Sequence, residues 1–112
     1  MSSTAEIFAK IESSVHKNPE KATSINAVFQ FNITGDSGGS WAIDLREGTR
    51  EHYVTEGNHD APSVTIGMSD DTWTGIFSGA VNPMQAFMMG KIKVSGDMGL
   101  AMKLQNILSL AK

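Results

Sequence analysis

Ser63-Val64-Thr65-Ile66-Gly67-Met68-Ser69-Asp70-Asp71-Thr72-Trp73-Thr74-Gly75-Ile76-Phe77-Ser78-Gly79 changes its hydrophobic period partway along. Ser63 to Met68 alternates as a short strand does. At Ser69 the signals become helical: a hydroxyl suited to an N-cap, then Asp70 and Asp71 where a helix dipole favours acids. Trp73, Ile76 and Phe77 supply one apolar face, and Gly79 stops it. A strand running straight into a helix makes the neighbours on either side decisive.

Upstream lie three more strand-like runs. Ile25 to Thr34 is rich in β-branched and aromatic residues, and Trp41 to Arg46 alternates. Trp41, Ile43 and Leu45 fall on one side of that run, Ala42, Asp44 and Arg46 on a wet one. Glu47-Gly48-Thr49 turns the chain into Glu51 to Glu56, and Gly57 to Pro62 turns it again. Four strands at this spacing predict an antiparallel meander. Before them, Ser3 and Glu6 have capping-box spacing, and Ile7, Phe8, Ile11 and Val15 recur with helical period up to Asn18-Pro19.

Downstream, Asn82-Pro83 opens a short helix carrying Met84, Phe87 and Met88, ended by Gly90. Lys91 to Ser95 reads as a last strand. Asp97 to Ala111 is the longest helical candidate, with Leu100, Ala101, Leu104, Ile107, Leu108 and Ala111 on one arc and Met98 and Met102 outside it. The class is α+β: one sheet, with helices covering it.

The chain has 112 residues, so residues 3–112 are expected to form one domain with one core that any ligand must share. No window approaches the roughly 18 apolar residues of a membrane span, which predicts a soluble domain. Nine basic residues are scattered among twelve acids for a net charge of -3, which disfavours a nucleic-acid partner. With no cysteine there is neither a disulfide framework nor a thiolate zinc site.

Gly35-Asp36-Ser37-Gly38-Gly39 reads as the GDSGG around a serine-protease nucleophile. The one upstream histidine is His16, on the first helix, and the motif joins two strands where a nucleophile elbow needs a strand-to-helix turn. A hairpin loop is the better reading, and no catalytic residue is assigned. His16, His52 and His59 lack metal-ligand spacing, so no metal site is assigned either. Methionine is the informative excess. Apart from Met1, all six lie in the second half (Met68, Met84, Met88, Met89, Met98 and Met102), near predicted helices. Flexible thioethers suit an apolar surface that repacks around guests, and they equally fill core gaps; composition leaves both open.

Gly90-Lys91-Ile92-Lys93-Val94-Ser95-Gly96-Asp97-Met98-Gly99-Leu100-Ala101-Met102-Lys103-Leu104-Gln105 resembles the C-terminal signature of sterol carrier protein 2 domains, GKLKxxGNMxLAxKLQ. Ser69-Asp70-Asp71 is similar to the family's SDxDF, Phe77-Ser78-Gly79 to its FxGK, and Asn82 to Gly90 to its NPQxAFxxGK. Ala27-Val28-Phe29-Gln30-Phe31 and Ser40 to Leu45 resemble its first two strands. Ala80 replaces the usual Lys after Gly79, Asp97 replaces Asn, and Met89 stands where Gln is often found.

The resemblance implies a five-stranded, mostly antiparallel sheet covered on one face by four to five helices, with an apolar tunnel between. It implies a domain that binds and transfers fatty acids, fatty acyl-CoA, sterols and phospholipids with broad selectivity, without catalysis or cofactor. In such a tunnel Trp41, Trp73, Ile76, Phe77, Met84, Phe87, Met88, Met98 and Met102 are the expected lining, with Gln105 as a polar contact. The expected partners are lipid and, transiently, a membrane, the protein being a monomer. The alternative is a non-carrier module that presents lipid to a partner enzyme or assembles with one. Many eukaryotic members end in a peroxisomal AKL, whereas this chain ends Leu110-Ala111-Lys112, one Leu short. The expected location is therefore cytoplasmic, and peroxisomal if a further residue completes the signal.

Overall fold

A computed structural model describes residues 3–48 and 50–109. The first helix, α1 (Thr4–Lys17), starts where the caps say it should: the Ser3 hydroxyl accepts the Glu6 N–H at 3.2 Å. Its stripe of Ile7, Phe8, Ile11 and Val15 is buried. Pro19 adds a short second helix, α2 (Pro19–Thr23), that the sequence pattern did not announce.

Five strands follow in one sheet: β1 (Val28–Thr34), β2 (Gly39–Asp44), β3 (Val54–Glu56), β4 (Val64–Ser69) and, later in the chain, β5 (Lys93–Gly96). Their spatial order is β3-β2-β1-β4-β5. All pairs are antiparallel except β1 with β4, which is parallel, Phe31 opposite Ile66. The simple meander therefore holds for β1, β2 and β3 and fails at β4, which leaves β3 and lies beside β1 on the far side. Alternation fixes which face of a strand is apolar but not which strand it pairs with. In the observed register Val64, Ile66 and Met68 continue the apolar surface of Phe29, Phe31 and Ile33.

The chain crosses from β3 to β4 over the other sheet face, and Gln30 holds it there. Its Oε1 accepts the His59 N–H at 2.8 Å and its Nε2 donates to the Gly57 carbonyl at 3.2 Å. Gln30 and its cross-strand partner Ala42 are consequently buried, so Ala42 is not on a wet face as the alternation suggested. Both ends of the Gln30 amide are satisfied, as burial of an amide requires.

The helices cover the face that carries Phe31, Trp41 and Ile43. Besides α1 and α2 they are α3 (Asp70–Ser78), α4 (Pro83–Met88), α5 (Met98–Ala101) and α6 (Leu104–Ser109). The long final helix expected from the pattern is thus two pieces. The Lys103 N–H bonds the Leu100 carbonyl, three residues back, and the tightened turn separates α5 from α6. Leu104, Ile107 and Leu108 remain buried as one stripe, while Leu100 and Ala101 are half-buried. Ala111 of the predicted arc, the Leu110-Ala111-Lys112 terminus and Thr49 of the predicted turn lie outside the described residues. No helix among the described residues is long and apolar enough to cross a membrane.

The GDSGG segment is the β1–β2 hairpin loop. The Asp70 carboxylate, at the start of α3, accepts the Ser37 N–H at 3.0 Å. Gly35, at φ +105°, brings its Cα so close to Asp70 that a Cβ would lie 2.5 Å from its Oδ1. The glycines serve the docking of a loop onto a helix start.

Candidate functional site

Four short segments converge beside β4 to enclose a cavity of about 300 Å³. Ile66 of β4 and Ile92, just before β5, are the buried residues of its sheet side. Asn82 and Pro83 begin the second wall. The Asn82 Oδ1 accepts the Met84 and Gln85 N–H groups at 2.9 and 3.2 Å, which fixes the start of α4. On this one helix Met84 and Phe87, three apart, reach the cavity while Ala86 packs into the core. The third wall is α5, capped by Asp97, whose Oδ1 accepts the Leu100 N–H at 3.2 Å. It presents Met98 and Ala101, the following turn presents Met102, and α6 adds Leu104 and Gln105.

A second cavity of about 170 Å³ adjoins the first, lined by Ile76, Gly79, Val81, Leu108 and Ser109 together with Asn82, Pro83 and Gln105, which both cavities share. Gln105 is exposed at this junction, and its side-chain amide makes no hydrogen bond among the described residues. Among the described residues no Asp, Glu, Lys, Arg or His lines either cavity. The polar side chains are Asn82, already engaged as a cap, Gln105 and, in the smaller cavity, Ser109. Such a site offers area to hydrocarbon and a neutral amide to one polar group.

Of the residues expected to line a tunnel, Met84, Phe87, Met98, Met102 and Gln105 are brought together here, and Ile76 lines the adjoining cavity. The remaining four are elsewhere. Trp41 and Trp73 sandwich Phe8, each with ring centroids 4.6 Å away and near-parallel planes, deep in the core. Phe77 is half-buried on the far side of α3, under the Lys10 ammonium at 5.2 Å from its ring centroid. Met88 is 78% exposed and outside the cavity. Sequence reasoning missed Ile66, Ile92, Ala101 and Leu104. The alternation of Lys91, Ile92 and Lys93 already marks Ile92 as the inward residue of that run.

Comparison with known proteins agrees with this architecture. Residues 8–109 match the model of the SCP-2 sterol transfer family. The chain is 36% identical over 104 residues to hydroxysteroid dehydrogenase-like protein 2 of Bos taurus, which covers 93% of this chain and 24% of that protein. It spans about a quarter of the length of hydroxysteroid dehydrogenase-like protein 2 from Bos taurus, Xenopus tropicalis and Xenopus laevis. Among solved structures it is similar to sterol carrier protein 2 from Yarrowia lipolytica in its apo form. That match has a TM-score of 0.77 and 27% identity, covering 95% of this chain and 89% of the other. Sterol carrier protein 2 of Aedes aegypti, determined in complex with the C16 fatty acid palmitate, aligns over 100% of both chains with a TM-score of 0.75 and 27% identity. With the family model matched across nearly the whole sheet-and-helix unit, the chain belongs to the SCP-2 sterol transfer family.

Proposed function

We propose that the chain carries lipid by taking an acyl chain into the cavity beneath α4, α5 and α6. The observation that carries this reading is the cavity's chemistry: a space of about 300 Å³ walled by Ile66, Phe87, Ile92, Leu104 and three methionines, with no charged side chain among the described residues of its lining. The similar Aedes aegypti protein, solved with palmitate, supports it. A volume at the lower end of the range for ligand pockets suits one slender chain, and a sterol needs the wall to move outward. At about 0.8 kcal/mol per buried methylene, a sixteen-carbon chain gains roughly 12 kcal/mol gross. Association costs reduce this to micromolar or nanomolar affinity. Without a charged anchor, selectivity among fatty acids, acyl-CoA, sterols and phospholipids is broad. The domain acts as a monomeric carrier and not as an enzyme.

Titration of delipidated protein with a fluorescent fatty acid, then displacement by unlabelled acyl-CoA and sterol, tests the reading. Saturable one-to-one binding with displacement is expected. Absence of binding by folded, verified lipid-free protein would overturn it.

One observation favours a second reading. The matching segment makes up about a quarter of hydroxysteroid dehydrogenase-like protein 2 and a similar share of a peroxisomal multifunctional enzyme from Dictyostelium discoideum. In this alternative the domain presents lipid to a partner enzyme. Binding of lipid with no transfer between vesicles, together with faster turnover by an added lipid-metabolising enzyme, would favour it.

A further inference from the structure

The sheet face turned away from the helices is covered only in part. The β3–β4 connection lies over the region around Gln30, which holds it through His59 and Gly57. Farther along, across β1, β4 and β5, the same face carries an open groove of about 660 Å³ lined by Asn32, Thr34, Gly67, Ser69, Lys91 and Lys93, with Asp71 at the end where β4 runs into α3. None of these residues lines either cavity on the helical side. Ile92, between the two lysines, belongs to the lipid cavity on the opposite face.

Asn32, Gly67 and Lys93 are cross-strand partners in one row of the sheet. Glycine inside a strand weakens it and often marks the close approach of a ligand or of another backbone. Nothing among the described residues makes that approach at Gly67. A Cβ there would have the Asn32 carbonyl as its nearest neighbour, at an ordinary contact distance of 3.7 Å. Internal packing therefore leaves the missing side chain unexplained, and its absence deepens the groove between Asn32 and Lys93.

The donors and charges of the groove indicate what fits it. Lys91 and Lys93 are exposed, and their ammonium groups have no ion-pair partner among the described residues. The Asn32 Oδ1 is taken by the Ser40 hydroxyl at 3.1 Å and by Gln30 Nε2 at 3.4 Å, which leaves the Asn32 NH₂ as a donor without a partner. The Thr34 hydroxyl is equally unengaged. Two cations, an amide donor and a hydroxyl suit phosphate oxygens, to which charge-assisted hydrogen bonds are the strong ones. Asp71 is the one acid of the described lining and can accept from a ligand hydroxyl. No aromatic ring stands among the described lining residues to stack a base, so the remainder of the ligand is better met as a polyol than as a nucleoside.

We propose that this groove is a second ligand site, separate from the lipid cavity, that takes a phosphorylated polyol of the sugar-phosphate class, its phosphate held by Lys91, Lys93 and the Asn32 amide and a hydroxyl donating to Asp71.

Titration of the full chain with glucose 6-phosphate, followed by amide chemical shifts, tests it. Saturable shifts are expected at Asn32, Gly67 and Lys93, and none with glucose. Lys91→Gln combined with Lys93→Gln should weaken binding on the order of tenfold. Lys17→Gln combined with Lys21→Gln, the same charge loss on α1 and α2, should leave it within about twofold. Gly67→Val fills the groove with a residue that strands favour and should abolish binding while the urea midpoint holds. Asp71→Asn should weaken glucose 6-phosphate but not inorganic phosphate. Fatty-acid affinity should be unchanged in all four variants, so loss of fatty-acid binding in the parent would overturn the carrier reading and leave this site standing. No shifts at the three amides, equal loss in the Lys17/Lys21 variant, or full binding by folded Gly67→Val would overturn the proposal. So would Lys91- and Lys93-dependent binding to vesicles containing phosphatidylinositol 4-phosphate by a protein that glucose 6-phosphate leaves unmoved, which would assign the groove to a lipid headgroup.

Discussion

The rings of Phe8 and Trp73 stack with centroids 4.6 Å apart and planes 15° from parallel, and Trp41 closes the other side of Phe8 at the same distance. Through these rings α1 is wedged between β2 and α3, so helix layer and sheet share one aromatic centre. Phe8→Ala should cost about 3–5 kcal/mol, a large part of the roughly 5–15 kcal/mol available to such a domain. Phe8→Leu, a smaller loss, should lower the urea midpoint while fatty-acid affinity stays within a few-fold of the parent. That combination separates the aromatic core from the cavity.

Ala101 faces the cavity from a half-buried position in α5, so its enlargement fills space that cargo needs. Ala101→Phe should displace three or four methylenes of a bound chain. At about 0.8 kcal/mol each the affinity falls roughly a hundredfold, with little change in unfolding midpoint. Met102→Glu should weaken binding less than this, because Met102 is 62% exposed and a carboxylate there turns to solvent. Fluorescent fatty-acid titrations of both variants beside urea denaturation check the order.

Glu12 joins α1 to the edge strand. Its Oε2 accepts the Tyr53 and Val54 N–H groups at 2.9 and 2.7 Å, while its Oε1 lies 3.0 Å from His16 Nε2 and 3.3 Å from His52 Nδ1. Glu12→Ala leaves the Tyr53 and Val54 amides without their acceptor and should cost about 1–3 kcal/mol. Amide exchange at Tyr53 and Val54 should accelerate more than at Phe31 in the central strand. Uniform acceleration across the sheet would show instead that Glu12 acts on global stability.

Hydrogen bonding from Arg46 holds the Asp44 carboxyl below its ordinary value, with Arg50 contributing charge and partial burial opposing both. Because the folded value is depressed, the stability from this group is present above the unfolded value and lost as pH falls through the folded one. Asp44→Asn should therefore lose less stability than the parent between neutral pH and the acid side of the carboxylate range. The difference should be small, because Arg46 is exposed to solvent and salt. Urea midpoints at the two pH values, with and without added salt, measure it.

Local signals in the sequence proved strong wherever a short-range hydrogen bond decides the outcome. Ser3, Ser69, Asn82 and Asp97 all cap the helices they precede, with side-chain oxygens accepting from the first turn. Non-local choices were less legible. The alternation of Val64, Ile66 and Met68 names an apolar face, but the decision to pair with β1 depends on a crossover held by Gln30, far away in sequence. The same holds for the site. Met84, Met98 and Met102 were identifiable by residue type and family motif, whereas Trp41 and Trp73 share that apolar character and differ only in having Phe8 between them. Size and hydrophobicity cannot distinguish a side chain that meets a ring from one that meets a cavity. Only the packing does.

The tight turn at Met102 and Lys103 bears on how the wall of the cavity can yield. Below it α6 is anchored by Leu104, Ile107 and Leu108, and above it α5 has no fully buried residue across Met98–Ala101. A continuous rod would have to drag that anchored stripe along with every adjustment to cargo. Split as it is, the segment leaves a bulkier guest to work against one loosely held turn, and the foundation that keeps helices on sheet is spared the strain of loading.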